Sequence, residues 1–213
     1  MRYLLLISIP IMISCTSQKK GNSISIGKVN NGSLKNGAKF NYKGKNYNYF
    51  SSTSYFILNR SYVHDKVKTV TLNAYKDLSN RFPKQKWGIM ECSRKYGGKM
   101  NPHRTHQNGT SIDFMTPMKW TKSGKQYRWK AHLGVSHYLL TFDKDGYLNK
   151  RKKVQIDFEM MAHHILSLNK EAKAQGVTIK KVLLKIDLKD NLLKSKIGQK
   201  LKRSGIYFAK YLT

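Results

Sequence analysis

The chain has 213 residues and a mass of 24.7 kDa, a length that suits one domain with a short appendage. Its 39% hydrophobic and 11% aromatic residues exclude a mostly disordered protein, and its two cysteines exclude a disulfide-rich miniprotein or a four-cysteine zinc site. The 41 lysines and arginines outnumber 11 acidic residues and give a formal net charge of +30, so the surface attracts polyanions such as nucleic acid, acidic membranes or acidic wall polymers.

Residues 1–15 are typical of an export signal. Met1 and Arg2 precede an apolar run of about a dozen residues, which is too short for a membrane span of roughly 20 residues but suits a secretory signal. The run ends in Ser14 and Cys15, an ending that resembles a bacterial lipoprotein signal, in which Cys15 would carry the lipid. In the alternative, an ordinary cleaved signal peptide, Cys15 has no role. Export predicts a periplasmic protein, anchored to a membrane by lipid only, with no nucleic-acid partner.

Residues 16–36 are polar and rich in Lys, Asn, Gly and Ser. This composition predicts a basic tether between the signal segment and a single domain that spans residues 37–213.

Helices and strands are interspersed in the predicted domain. Asp65 can cap a helix that Pro83 ends, and Asp157 can cap a second helix that Gly176 ends. Cys92 lies in an apolar segment and is predicted to be a buried, packed small side chain. Strands are predicted at residues 87–92, 110–115, 136–142 and 181–188. Because the order lacks a regular βαβ rhythm, the sequence favours an α+β fold over a doubly wound sheet.

Two histidines and a carboxylate, namely His103, His106 and Asp113, fall within one short segment. Imidazole nitrogen and carboxylate oxygen are the ligands that zinc takes in catalytic sites. If residues 110–115 form a strand, its apolar side chains face the core and Asp113 faces a cleft, and a sharp turn at Gly109 lets His106 meet it. In the alternative, these histidines are ordinary surface or loop-packing residues, since this spacing is also common by chance.

Residues 103–113 read His-Arg-Thr-His-Gln-Asn-Gly-Thr-Ser-Ile-Asp. This segment resembles the motif His-x-x-His-Gln-x-Gly-x-x-x-Asp of the penicillin-insensitive murein endopeptidases, which belong to the superfamily of D-Ala-D-Ala peptidases and the hedgehog fold. Weaker matches at residues 32–37 and 90–93 extend the resemblance over residues 30–213.

The resemblance implies an α+β fold in which helices flank a small antiparallel sheet. It also implies a zinc peptidase that hydrolyses the D-alanyl–diaminopimelate cross-links of peptidoglycan. His106 and Asp113 would bind zinc, and His103 would be an auxiliary ligand or an active-site histidine. Gln107 and Gly109 would shape the loop.

One departure from the family concerns the third ligand, which the family takes, with a catalytic histidine, from a His-x-His element on a late strand. The last histidines here, His163 and His164, are adjacent on the predicted second helix, where successive side chains diverge by about 100°. We expect them to lie on the helix surface. Three alternatives remain open: the sequence is truncated, another residue supplies the ligand, or the protein is a non-catalytic wall-binding lipoprotein on a decayed peptidase fold. The departure from the family's ligand set predicts slow or absent hydrolysis of cross-linked muropeptides.

Trp120, Tyr127 and Trp129 lie in a basic segment at residues 116–130. Aromatic rings among lysines and arginines can stack on sugar rings or nucleic-acid bases. The alternative is an exposed basic loop whose aromatic side chains are partly buried in the domain.

Overall fold

The computed structural model describes residues 22–129, 136–148 and 151–211. The predicted signal segment, with Cys15, lies outside these residues. Among the helices that are described, none is both long and apolar enough to cross a bilayer.

The described residues form short strands and four α-helices. The strands are β1 (Ile24–Lys28), β2 (Asn31–Lys35), β3 (Ala38–Lys39), β4 (Tyr47–Tyr49), β5 (Tyr62–Val63), β6 (Trp87–Ile89), β7 (Met118–Trp120), β8 (Gln126–Tyr127), β9 (Tyr147–Leu148), β10 (Arg151–Ile156), β11 (Val182–Lys185) and β12 (Phe208–Tyr211). The helices are α1 (Asp65–Arg81), α2 (Phe158–Ala174), α3 (Ile186–Lys194) and α4 (Lys196–Arg203).

The largest sheet has four antiparallel strands in the order β8-β7-β10-β9. The other sheets have two strands each: β1–β2 and β3–β5 are antiparallel, whereas β4–β6 and β11–β12 are parallel. The prediction of an α+β fold with small antiparallel sheets and helices is therefore confirmed.

Both predicted helices are present. At the start of α1 the His64 side chain accepts a hydrogen bond from the amide of Lys66, so His64, and not Asp65, is the N-terminal cap. Asp157 caps α2 as predicted, since its carboxylate accepts from the amide of Met160. The two helices pack against each other through apolar residues Val70, Ala74, Leu168 and Ala172.

The strand predictions were less accurate. Residues 136–142 were wrongly predicted, since Ser136–Leu139 form a 3-10 turn. Of residues 181–188, only Val182–Lys185 are a strand; Leu188 and Leu192, one helical turn apart, are both buried, and this packing favours α3.

Residues 110–115 were also wrongly predicted as a regular strand. The amide of Asp113 donates to the carbonyl of Glu91, whereas the carbonyl of Asp113 accepts from the amide of Met90. Because these two bonds reach successive residues of the partner segment, the antiparallel pairing is irregular.

The prediction that His164 lies on the helix surface was wrong. It is only 4% exposed and packs among the rings of Tyr75, Trp87 and Phe114, with centroid distances of 5.5, 4.7 and 4.7 Å. His163 is half-buried beside Phe82. Burial of His164 follows from its position one helical turn before Leu168, on the face of α2 that packs on α1, which is a tertiary contact.

Cys92 is fully buried in the main core, as predicted. Burial raises the pKa of its thiol well above the ordinary value, so the thiol stays protonated at neutral pH.

The tether prediction was wrong for the part of residues 16–36 that the structure describes. Strands β1 and β2 form a hairpin, and Leu34 on this hairpin is 1% exposed. The hydroxyl of Ser25 donates to the carbonyl of Asn108, whose side-chain amide donates to the carbonyl of Gly27. The hairpin is therefore packed on the loop that carries the histidines, although its composition is that of a linker.

Gly97 lies where the hairpin, the loop and the segment after Cys92 meet. Its φ is 73°, and a Cβ atom there would lie 2.1 Å from the carbonyl oxygen of Gln107 and 2.7 Å from the amide nitrogen of Leu34. The next residue, Gly98, has a φ of 80° but would meet nothing within 4 Å. Only the first of these glycines is needed for close packing.

Replacing His164 with phenylalanine should make the protein less sensitive to acid. Burial lowers the pKa of His164 to about 3, whereas an unfolded histidine has a pKa of about 6.5. Between these values the unfolded chain takes up a proton that the folded chain does not, so the free energy of unfolding falls as the pH falls. The protonation of this one group should lower the free energy of unfolding by about 2 kcal/mol between pH 7 and pH 5.

Urea denaturation at the two pH values measures this loss, which should be smaller by that amount in His164→Phe than in the wild type. His163→Phe, at the half-buried neighbouring position, is the control and should keep most of the loss. An identical loss in all three proteins would contradict the buried, neutral state of His164.

Replacing Gly97 with alanine should destabilise the protein far more than the same change at Gly98. Both changes force alanine into the left-handed region, at a cost of roughly 1–2 kcal/mol. Gly97→Ala also places a methyl group against main-chain atoms, so its total loss of unfolding free energy should exceed about 3 kcal/mol. Thermal denaturation of the two variants measures the difference, and equal melting temperatures would show that the three segments are not packed as described.

Candidate metal centre

The side chains of His103, His106 and Asp113 converge at one place. The Nε2 atom of His106 lies 3.2 Å from Asp113 Oδ2, and the Nδ1 atom of His103 lies 3.9 Å from the same oxygen. One ligand atom from each residue lies within 4.8 Å of the others. Two ligands of one zinc ion, each bound at about 2 Å, are at most about 4 Å apart, so both distances are compatible with a shared ion. The predicted meeting of His106 and Asp113 is confirmed.

His106 is the most constrained member of this metal cluster. Its side chain is almost completely buried, and its φ of 74° is unusual for a residue other than glycine. The ring atom Nδ1 lies 3.2 Å from the carbonyl oxygen of Ser111, and the main-chain amide of His106 donates to the Ser111 hydroxyl. When Nδ1–H donates to that carbonyl, the lone pair of Nε2 faces Asp113.

The loop around His106 is fixed largely by main-chain contacts. Gln107 donates its amide to the carbonyl of Val29, and its own carbonyl accepts from the amide of Gly98. Gly109 has a φ of 75°, and its carbonyl accepts from the amide of His64. The turn expected at Gly109 is present, and Gln107 contributes to the loop through its backbone.

Asp113 reaches the cluster from the irregular pairing with residues 88–91. Its neighbours Ile112 and Phe114 pack against the main core, whereas the Asp113 side chain is 44% exposed. Core-facing and cleft-facing side chains therefore alternate as predicted, although the segment is not a regular strand. The exposed carboxylate leaves one side of the cluster open to solvent.

The two histidines have pKa values that shift in opposite directions. Burial lowers the pKa of His106, but its hydrogen bond to Asp113 and the charge of that carboxylate raise it by more, so the pKa is raised overall. Burial also lowers the pKa of His103, and there it outweighs the raising effects of Glu91 and Asp113. Because a metal ion binds the neutral imidazole, a proton competes with the metal more strongly at His106 than at His103.

A buried ion pair behind the cluster was missed in the sequence. The guanidinium of Arg60 lies 3.7 Å from the carboxylate of Glu91, which also accepts a hydrogen bond from the hydroxyl of Ser54. Arg60 donates a second bond to the carbonyl of Asn101, at the start of the histidine loop. These residues are far apart in the sequence, and no local pattern signals that they meet.

His163 and His164 do not join the cluster. His164 contacts the ring of Phe114 from the core side, whereas Asp113 faces the cleft. His163 lies 3.3 Å from a guanidinium nitrogen of Arg81 at the end of α1. Within the part of the chain that the structure describes, the group that could hold a metal ion consists of His103, His106 and Asp113.

Comparisons with known proteins do not assign the chain to a family. No family model matches the sequence, and no curated protein matches it significantly. The resemblance to murein endopeptidases therefore depends on residues 103–113, which in the structure form a cluster suited to a metal ion.

Proposed function

We propose that this protein is a zinc-dependent murein endopeptidase that hydrolyses the D-alanyl–diaminopimelate cross-links of peptidoglycan. The proposal includes a fold related to the hedgehog and D-Ala-D-Ala peptidase group. The observation that carries it is the convergence of His103, His106 and Asp113 in a cluster with one open side. Two imidazoles and a carboxylate are a donor set of catalytic zinc sites, in which three protein ligands leave one position for water.

The residues of the cluster fit zinc by their chemistry and orientation. The Ser111 carbonyl fixes the ring of His106, so that Nε2 rather than Nδ1 is available as a ligand. The partly exposed carboxylate of Asp113 lies beside both imidazoles and can balance the charge of a cation. Zinc bound here would polarise a scissile carbonyl and lower the pKa of its bound water to about 7.

The net charge of +30 supports a polyanionic partner. Basic side chains would attract the acidic stem peptides of peptidoglycan and keep the protein on the polymer. We also propose a periplasmic location with a lipid at Cys15. Under this proposal, the membrane contact is through the lipid only.

A second candidate function is a non-catalytic, wall-binding lipoprotein on a decayed peptidase fold. It is favoured by the positions of His163 and His164, neither of which reaches the cluster to act as an additional proton donor or acceptor. The two functions differ in one measurable respect, because both predict binding to the wall but only the first predicts cleavage.

Zinc binding tests the cluster directly. Isothermal titration of the metal-free protein at pH 7 should show one zinc ion per chain, and Asp113→Asn should weaken binding by at least about 100-fold, since the loss of outer-shell contacts alone costs roughly 10–100-fold. The control is Asp187→Asn, which removes an exposed carboxylate on α3. Equal affinities in Asp113→Asn and the wild type would remove this cluster as the zinc site.

Digestion of purified dimeric muropeptides tests the activity. The wild type should convert dimers to monomers slowly, because neither His163 nor His164 reaches the cluster as a proton donor or acceptor. A chelator should stop the reaction and added zinc should restore it. Asp113→Asn should lose at least about 100-fold in rate, for the reason given for zinc affinity, whereas Asp187→Asn should cleave normally. If zinc-loaded wild type binds sacculi without releasing monomers, the endopeptidase proposal is wrong and the wall-binding function is favoured.

A further inference from the structure

A groove with a volume of about 230 Å³ lies beside β4, β6, β7 and β8. Aromatic residues form part of its wall, and Lys43, Lys86 and Arg128 are its basic lining residues. None of the described residues that line it is an aspartate or a glutamate. The lining therefore combines aromatic and basic residues, and no acidic residue among those described neutralises its charge.

Two of the lining side chains are held in place by neighbours. When the amide of Asn48 is oriented to satisfy its hydrogen bonds, its oxygen accepts from an Nη2 atom of Arg128 at 3.0 Å. The indole N–H of Trp129 donates to the hydroxyl of Ser136 at 3.1 Å. A guanidinium and an indole ring are thus presented in the same groove at a reduced entropic cost of binding.

The backbone beneath the groove is also fixed. The side-chain amide of Gln126 both donates to the carbonyl of Lys86 and accepts from its amide, at 2.6 and 3.1 Å. These two bonds tie β8 to the residue before β6, so the aromatic and basic parts of the lining belong to one framework.

The segment that carries Asp113 leads into the groove. Met115 lines it and follows Asp113 by two residues, a separation of roughly 7 Å in an extended chain. Phe114, between them, packs on the core side. The chain therefore passes from the cluster to the groove within two residues.

We infer that this groove binds an anionic saccharide, with a sugar ring against Trp129 and its carboxylate paired with Arg128. Sugar rings present apolar C–H faces that can pack on aromatic rings, and a guanidinium pairs with a carboxylate through two parallel hydrogen bonds. The volume is below that of pockets for drug-sized ligands, which suits one ring with its substituents. The chemistry of this lining is independent of the metal cluster and of any peptidase activity.

Single-stranded nucleic acid is the other ligand that aromatic and basic side chains commonly bind, but it needs a long basic track for several phosphates. The groove described here has three cations within one compact cavity. A short acidic sugar therefore fits its size and charge better than a polynucleotide.

Titration of the purified chain with trigalacturonic acid, and with its neutral methyl ester, tests this inference. Binding is measured by calorimetry at 0.15 M salt, where exposed charges are screened beyond about 8 Å and the background from the +30 net charge is reduced. Arg128→Gln should weaken binding of the acid by at least about 10-fold and leave the ester little changed, because only the acid offers a carboxylate. Trp129→Ala should weaken both by at least about 10-fold.

Matched controls come from the same chain. Trp120→Ala removes an exposed tryptophan that does not line the groove, and Arg203→Gln removes an exposed arginine at the end of α4. Both should bind like the wild type. Trp129→Phe keeps an aromatic ring but loses the bond to Ser136, and it should retain most of the binding. It replaces Trp129→Ala if that variant does not fold.

The inference is wrong if the wild type does not bind the acid. It is wrong, too, if Arg128→Gln or a folded Trp129→Ala binds the acid as tightly as the two controls do. It is also wrong if a thymidine oligonucleotide binds more tightly than the saccharide and loses affinity in Arg128→Gln, a result that would assign the groove to nucleic acid.

Discussion

The hydrogen bonds between His106 and Ser111 determine the geometry of the candidate site. One bond joins the ring Nδ1 to the Ser111 carbonyl, and another joins the His106 amide to the Ser111 hydroxyl. Together they close the short loop that returns the chain to Asp113. The left-handed backbone at His106 is unfavourable for a residue other than glycine, and the surrounding contacts hold it in place. The direction in which Nε2 points, and so the pairing with Asp113, depends on these few bonds.

Those contacts come from parts of the chain that are distant in sequence. The β1–β2 hairpin hydrogen-bonds to Asn108 and Gln107, and Arg60 holds the carbonyl of Asn101 while paired with Glu91. A buried pair of this kind adds little net stability, but loss of one partner leaves the other charge buried and is strongly destabilising. The pair therefore acts mainly to fix the position of the histidine loop relative to the strand region that carries Asp113.

The features that the sequence predicted correctly are local ones. The cap at Asp157, the helix end before Pro83 and the return of the chain at Gly109 each depend on a few neighbouring residues, and so does the approach of His106 to Asp113. The errors concern contacts made across the fold. Burial of His164 depends on α1 lying against α2, and the hairpin depends on a loop that follows it by many residues. Polar composition at residues 22–36 could not distinguish a linker from strands whose outer faces are solvated.

The three cluster residues all lie in one segment of the chain, residues 103–113. An unfolded chain presents the same two imidazoles and the same carboxylate at the same short sequence separation, so a cation that binds the native protein also finds ligands in the denatured ensemble. By mass action, only the difference between these two affinities stabilises the fold. In this protein that difference comes from the fixed ring of His106 and the packed hairpin rather than from distant ligands brought together. Metal-dependent stabilisation should consequently be modest even if the native site binds tightly, and the melting temperature is a poor measure of occupancy.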